Sequence, residues 1–211
     1  MASASTSAFV GPRLSVAARC RRGRRRRRRT SPRASSTADA PPRRVVSLAA
    51  EELTPESFAP FGQIVKAEED GAVFGPDDAQ LDLSRGTPRF YIMRLRDKDL
   101  RFDRITFHGK VTQCLGALGT NRAWYMAVGE PTLDVRAHPT EDTLRVFEVP
   151  PGVFVKMHVG TWHAGPLFRC DDDVGTHIDF YNLELADTNV VDHNTHDYAT
   201  ADGIEFEVVQ R

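Results

Sequence analysis

From residue 88 onward, short runs of β-branched and aromatic residues alternate with segments of Gly, Pro and Asp. The runs recur about every 8 to 15 residues, a spacing typical of an antiparallel sandwich or barrel. Within residues 145–149 and 154–158, polar and apolar positions alternate, which predicts strands with one buried face. The runs cover residues 89–96, 104–108, 123–128, 133–137, 144–149, 153–158, 166–168 and 177–185.

The segment before residue 88 adds one strand candidate and one short helix. Residues 45–48 are apolar enough for a strand. Thr54 and Pro55 predict a helix start, because threonine is a good N-cap and proline fits the first helical turn. Residues 63–66 then return to an extended pattern, and the acidic segment 67–87 predicts an exposed loop. The fold class that follows is all-β with a short N-terminal helix.

Charge divides the chain into two parts. Residues 1–44 hold 13 Arg, no Lys and one acidic residue, a net charge of +12. The remaining 167 residues hold 15 basic and 28 acidic groups, a net charge of −13. An N-terminus rich in Ser, Ala and Arg and poor in acids is typical of a disordered transit peptide that is removed after import. We therefore interpret residues 1–44 as a cleaved leader and residues 45–211 as one domain.

The leader resembles a plastid transit peptide, and mitochondrial import is the alternative address. A retained nuclear-localisation or RNA-binding arm is the rival interpretation, because the six arginines 24–29 would bind phosphates. No aromatic residue is interleaved with them to stack on bases, and the acidic domain would repel nucleic acid. We therefore expect no nucleic-acid partner. We also expect no membrane partner, since the chain lacks an apolar run of about 18 residues.

Residues 150–166 carry the most specific motif of the chain. They resemble the second motif of the cupin superfamily, G-x5-P-x-G-x2-H-x3-N, with Gly152, Gly160 and His163 in register. His158 stands where that motif has proline. The spacing predicts a turn with positive φ at Gly160, followed by a strand on which His163 faces into the barrel.

An earlier segment resembles the first cupin motif, H-x-H-x4-E-x6-G. His108 matches the second histidine, Gln113 replaces the glutamate, and Thr106 occupies the position of the first histidine. Two half-motifs in the expected order imply a cupin-type double-stranded β-helix, or jelly-roll barrel. They also imply that His108, Gln113 and His163 point into the barrel mouth.

A closer resemblance covers most of residues 46–209. The chain is similar to the ureidoglycolate lyase (ureidoglycolate hydrolase) family, in its plant-type branch. The segments that carry this resemblance are residues 53–62, 144–147, 160–168 and 178–180. The resemblance implies a cupin homodimer that splits ureidoglycolate, a small carboxylate, into glyoxylate and urea in allantoin and purine breakdown.

The motifs and the resemblance together give the candidate site residues. On residues 177–181, alternation places Asp179 and Tyr181 on one face of a strand and Ile178 and Phe180 on the other. The pattern leaves open whether the polar face meets solvent or a cavity, and the resemblance favours the cavity. The catalytic candidates are His108, His163, Asp179 and Tyr181, and the substrate-binding candidates are Gln113 and Trp162. In this scheme one histidine is the general base and Asp179 or Tyr181 assists proton delivery.

A metal site would use some of the same side chains. His108, Gln113 and His163 would be the ligands of a divalent Zn, Mn or Fe ion. Two imidazoles and one carboxamide are fewer ligands than such ions usually have in proteins. Asp179 or His158 would therefore have to complete the set.

Other polar residues are expected outside the site or are not distinguished by the sequence. The histidines expected in solvated loops are His138, His193 and His196. The arginines that could bind a carboxylate are Arg94, Arg96, Arg104 and Arg122.

The preferred hypothesis is a carbon–nitrogen lyase acting on ureidoglycolate. A catalytically silent cupin that binds a small carboxylate is the alternative from a different class, motivated by Gln113 and by the missing histidine at Thr106. A metal-dependent cupin enzyme with another substrate is the third possibility.

Overall fold

The computed structural model describes residues 42–170 and 176–210, which form 13 strands and three one-turn helices. The strands are β1 (Arg44–Glu52), β2 (Gly62–Val65), β3 (Pro88–Arg96), β4 (Arg101–Phe102), β5 (Arg104–Phe107), β6 (Gln113–Leu118), β7 (Trp124–Gly129), β8 (Arg145–Val149), β9 (Phe154–Met157), β10 (Trp162–Leu167), β11 (His177–Leu185), β12 (Asn194–Asp197) and β13 (Ile204–Val209). The helices are α1 (Pro55–Phe58), α2 (Thr188–Val191) and α3 (Tyr198–Ala201).

The strands form two sheets. The larger sheet has the order β12-β5-β10-β7-β8-β1-β13-β4, and the smaller one has the order β2-β9-β6-β11-β3. Most neighbours are antiparallel, but β1 pairs in parallel with both β13 and β8. The all-β fold of jelly-roll type that the sequence predicts is confirmed.

Strand β7 lies at the centre of the packing and is buried on both faces. Trp124, Met126 and Val128 belong to a core between the sheets, where they meet residues of β6, β9 and β11. Tyr125 and Ala127 face a second core formed within the larger sheet. Because successive side chains of a strand point to opposite faces, β7 is one continuous apolar run.

Helix α1 forms as its sequence predicts. The Thr54 hydroxyl accepts a hydrogen bond from the Ser57 amide, and the Ser57 hydroxyl accepts one from the Thr54 amide, which completes a capping box. Phe58 is fully buried and packs edge-on against Phe147. The helix thus closes one end of the core between the sheets.

The predicted turn at Gly160 is also present. Gly160 has φ of +85°, and a Cβ at this position would lie 2.5 Å from the Thr132 carbonyl oxygen. Glycine is therefore required both by the backbone conformation and by the close approach of the neighbouring chain.

Some predicted elements were wrong. Residues 133–137 form turns and no strand, since Asp134 accepts hydrogen bonds from the Arg136 and Ala137 amides and Leu133 is exposed. Strand β10 begins at Trp162, which agrees with the strand predicted to carry His163 but is earlier than the 166–168 run. Strands β4, β6, β12 and β13 were missed. The leader interpretation falls on residues 1–44, nearly all of which lie outside the described residues, although Arg44 already belongs to β1.

None of the helices in residues 42–170 and 176–210 is long and apolar enough to cross a membrane.

Candidate functional site

A group of polar side chains lies beside the core between the sheets, and all of them are buried except His163, which is half-buried. His108 follows β5, Gln113 opens β6 and His163 is the second residue of β10. Asn182 and Glu184 come from β11, on the inward face that also carries the core residue Phe180. Polar groups are seldom buried without partners, so the contacts of these five residues define what the site can bind.

Both imidazoles are held by backbone carbonyls. His108 Nδ1 lies 2.6 Å from the Asp192 carbonyl oxygen, and His163 Nδ1 lies 3.0 Å from the Thr161 carbonyl oxygen. A carbonyl only accepts hydrogen bonds, so Nδ1 carries the proton in each ring. Nε2 of both rings is left as an acceptor, and the ring centroids are 5.1 Å apart.

Burial keeps both rings neutral. Removal from water lowers the pKa of His108, and it lowers the pKa of His163 to about 3 with a further contribution from the neighbouring His108 ring. Two neutral imidazoles with free Nε2 atoms can accept a proton or a hydrogen bond, or bind a metal ion.

The Gln113 amide is oriented by two acceptors. Its Nε2 donates to Asn182 Oδ1 at 3.0 Å and to Glu184 Oε2 at 3.1 Å. A rotated amide would place Oε1 against these two oxygens, so the observed orientation is strongly preferred. Oε1 is buried without a hydrogen-bond partner, and Gln113 lines the same narrow gap as His108 and His163. The site therefore contains an unsatisfied acceptor next to two imidazole acceptors.

Glu184 is a site residue that the sequence analysis missed. Its side chain is 1% exposed, and it accepts hydrogen bonds from Gln113, Asn182 and Asn189. The Arg89 guanidinium lies 3.7 Å from its other oxygen. The signal in the sequence was a carboxylate at the β11 position that continues the inward series of Ile178 and Phe180.

Asp192 fixes the loop that carries His108. Its carboxylate accepts hydrogen bonds from the Gly109 and Lys110 amides at 2.8 Å each, and its carbonyl accepts from His108. The expectation of a solvated loop holds for His193, but it is wrong for His196, which lies on β12 where that strand pairs with β5. His193 itself is exposed, with its ring centroid 5.8 Å from that of His108.

An open cavity of about 320 Å³ adjoins the buried group, and His163 borders both spaces. The Cα atoms of His163 and Thr106 are partners across β10 and β5, which places Thr106 beside the imidazole. The charged and polar residues that line this cavity are Lys98, Arg101, Asp103, Arg104, Thr106, His163 and His193.

Asp179 and Tyr181 do not reach the histidines. They lie on the face of β11 opposite Asn182 and Glu184, where the Arg94 guanidinium donates two 2.7 Å hydrogen bonds to Asp179. This ion pair holds the pKa of Asp179 below its usual value. Tyr181 stacks against Phe90 and Phe154 on the same outer face. Asp179 and Tyr181 were expected to line the cavity, and this expectation is wrong because β11 presents both residues on its outer face.

Trp162 is likewise separated from His163, its neighbour on β10. It is fully buried in the core of the larger sheet, packs edge-on against Phe107 and donates to the Ala137 carbonyl at 3.2 Å. Adjacent residues of a strand point to opposite faces, so Trp162 supports β10 from behind the site and does not line it.

His158 borders the narrow gap, but both of its ring nitrogens are engaged. Nε2 lies 3.2 Å from the Ala59 carbonyl oxygen, and Nδ1 lies 3.1 Å from Lys156 Nζ. It therefore has no free nitrogen to complete a metal site, and Asp179 is excluded by its outer position. In the described part of the chain, no three His, Cys, Asp or Glu side chains are grouped to hold a metal ion.

The donors that fit a divalent ion are Nε2 of His108, Nε2 of His163 and the unpartnered Oε1 of Gln113. All three are neutral, and the nearby carboxylate of Glu184 is occupied by amide donors. Such a set would hold a metal ion more weakly than one that includes an anionic ligand.

A scan against protein-family models found no match, and a search of the curated proteins found none either.

Proposed function

We propose that this protein is a carbon–nitrogen lyase that cleaves ureidoglycolate into glyoxylate and urea. The observation that carries the proposal is a group of three hydrogen-bond acceptors beside a cavity that is lined by several cations. The acceptors belong to His108, Gln113 and His163. The sequence resemblance to the ureidoglycolate lyase family supports the same substrate.

The substrate complements both halves of this arrangement. Its hydroxyl and ureido groups donate hydrogen bonds, which the three acceptors can receive. Its carboxylate is an anion, which the cations of the cavity attract. A ligand with donors at one end and an anion at the other satisfies both halves together.

His163 is the proposed general base, because it lines both the narrow gap that contains His108 and Gln113 and the open cavity. Its Nε2 takes the proton of the substrate hydroxyl as the C–O bond becomes a carbonyl. The C–N bond breaks, its electron pair goes to nitrogen, and the imidazolium returns the proton there to give urea. A bound carboxylate close to the ring stabilises the imidazolium and offsets the burial that lowers its pKa.

A divalent ion, Zn, Mn or Fe, is the alternative to this base step: it would be held by His108, Gln113 and His163, and it would then occupy the Nε2 lone pair of His163 that takes the proton when no ion is bound. When bound, it would act as a Lewis acid toward a substrate oxygen. The remaining tasks belong to the chain itself: positioning the carboxylate, accepting hydrogen bonds from the ureido group and moving one proton.

The proposal includes a cellular address and an assembly. The leader directs import into plastids and is removed, and the acidic domain then forms a homodimer without nucleic-acid or membrane partners. Mass spectrometry of the mature N-terminus and light scattering of the purified protein test these two points. A retained leader, or a monomer at micromolar concentration, would overturn the corresponding one.

The activity test uses the purified full chain with ureidoglycolate, and urea and glyoxylate are quantified separately. We expect both products in equal amounts, well above spontaneous decay, and loss of turnover in His163→Gln. Turnover absent both with and without added Zn²⁺, Mn²⁺ or Fe²⁺ would reject the assignment. Release of ammonia in place of urea would instead indicate cleavage of the other C–N bonds of the ureido group.

A second candidate is a binding protein without catalysis. The specific observation that favours it is the neutral donor set, in which Gln113 stands where an acidic side chain would bind metal more tightly. Thermal-shift measurements separate the two functions, since stabilisation by ureidoglycolate that is never converted indicates the binder.

A further inference from the structure

The open cavity next to His163 has an excess of positive charge, although the domain as a whole carries −13. Three of its lining residues are cations, Lys98, Arg101 and Arg104, and one is an acid, Asp103. Asp103 is already paired with Arg43 at 2.7 Å. An acidic protein that must admit an anion needs such a local reversal of potential.

The three cations are not equally available. Arg101 bridges Glu205 at 3.2 Å and Glu207 at 3.1 Å, so its charge is neutralised within the fold. Arg104 uses only Nε, which donates to Asp197 at 3.1 Å, and its side chain is 66% exposed. Among the described residues its two terminal NH2 groups have no hydrogen-bond partner, and Arg104 lines the cavity.

Lys98 is the second available cation. Among residues 42–170 and 176–210, no carboxylate forms an ion pair with its amine. Lys98 also lines an adjacent depression together with its sequence neighbours Asp97 and Asp99, and those two acids do not line the cavity that contains His163. Lys98 can therefore add a point charge to the cavity that Arg104 also lines.

The strand register places Arg104 within reach of a small ligand at His163. Arg104 lies two positions before Thr106 on β5, and the Cα of Thr106 is the partner of that of His163. Two residues of a strand span about 7 Å, and side chains at i and i+2 share a face. Arg104 and His163 therefore lie on one face of the larger sheet and line the same cavity, so one small acid can contact both.

We infer that Arg104 and Lys98 form an anion subsite that binds the carboxylate of a two-carbon α-hydroxy acid beside His163. Arg104 binds the carboxylate through its two free NH2 groups, and Lys98 adds charge at the mouth. The inference rests on the proposed function for the identity of the rest of the substrate. The subsite itself requires only that the cavity bind small carboxylates, and it makes Arg104 the specificity residue among the four arginines that the sequence left open.

The kinetic test compares ureidoglycolate with N-(hydroxymethyl)urea, which has the same hydroxyl and leaving group but no carboxylate. In Arg104→Gln we expect kcat/KM for ureidoglycolate to fall about 10- to 100-fold, mainly through KM, as for loss of a charged hydrogen-bonded pair. Turnover of N-(hydroxymethyl)urea should not change. Lys98→Met should show the same pattern with a smaller loss. The matched control is Arg94→Gln, which removes an arginine paired with a carboxylate on the outer face of the smaller sheet.

A binding test keeps the subsite separable from the proposed reaction. Calorimetry measures glycolate and its neutral analogue glycolamide on the wild type and the same three variants. We expect glycolate to bind more tightly than glycolamide, and this preference to disappear in Arg104→Gln but not in Arg94→Gln. If glycolate binding depends on Arg104 while ureidoglycolate is not turned over, the subsite stands and the lyase assignment fails.

Three results would overturn the subsite. They are equal losses of both substrates in Arg104→Gln, glycolate binding that is unaffected by that substitution, and no glycolate binding by the wild type. Because the Arg104–Asp197 pair is exposed, Arg104→Gln should melt at the wild-type temperature. A melting point lowered only in this variant would be followed by Arg104→Lys, which should recover part of the glycolate preference if charge is what the site provides.

Discussion

The amide of Gln113 donates a 3.1 Å hydrogen bond to the buried carboxylate of Glu184. This contact determines which end of the amide faces the two imidazoles, since the second donor hydrogen of Gln113 is taken by Asn182. A neutral glutamine at the position of the cupin glutamate is therefore matched to a carboxylate that lies behind it.

The pairing predicts that Gln113→Glu destabilises the fold. The new carboxylate would lie against Glu184 in a buried site, where two like charges cannot both stay ionised. We expect a loss of about 2–4 kcal/mol in the free energy of unfolding at pH 7, measured by urea denaturation, and a smaller loss at pH 5. The double substitution Gln113→Glu with Glu184→Gln should recover part of the stability. A single variant as stable as the wild type would contradict the pairing of Gln113 with Glu184.

The free energy of unfolding should decrease as the pH falls below the pKa of a histidine in the unfolded chain, about 6.5. Because the pKa of His163 is lowered to about 3 in the fold, protonation favours the unfolded chain. The stabilisation from the neutral ring is complete above about pH 6.5 and is lost toward pH 3. From this residue alone we expect a decrease of about 1–2 kcal/mol between pH 7.5 and pH 5. Denaturation curves at both pH values test this, and His163→Gln should show a weaker dependence.

His163→Gln should remove activity while leaving the fold intact. Loss of a general base typically lowers turnover by about 100- to 10,000-fold, and glutamine can still donate to the Thr161 carbonyl that holds the ring. The matched control is His138→Gln, since His138 stacks on His196 and does not line the narrow gap beside His108, Gln113 and His163. Equal turnover in the two variants would remove His163 from the mechanism.

Asp179→Asn should leave turnover unchanged. Asp179 forms its ion pair with Arg94 on the outer face of β11, and a solvent-accessible ion pair contributes little to stability. Steady-state kinetics on ureidoglycolate check this directly. A tenfold or greater fall in kcat would restore Asp179 to the catalytic group and contradict the strand register described above.

Much of the fold was readable from local patterns. The capping residues of α1, the positive φ of Gly160 and most of the strand runs depend on interactions within a few residues, and these were predicted. The run at 133–137 failed because Asp134 forms a local turn that competes with a strand. Strand β13 was missed although Glu205 and Glu207 alternate with the buried Phe206 and Val208, a pattern typical of a strand with one buried face. Its parallel pairing with β1 joins the two ends of the domain, and no local pattern reports that contact.

The candidate site divides in the same way. The resemblance of two segments to the cupin motifs implied that His108, Gln113 and His163 belong together. The sequence by itself determined that Asp179 and Ile178 lie on opposite faces of one strand. Only the tertiary structure decided which face is inside, because that depends on where the second sheet packs and not on the alternation itself. Packing placed Asp179 outside and Glu184 behind Gln113, and the β5–β10 pairing brought Arg104 to the cavity of His163. These outcomes depend on contacts between residues far apart in the sequence. Such contacts remove some polar groups from water and leave others exposed, although the local sequence patterns around the two kinds of group are the same.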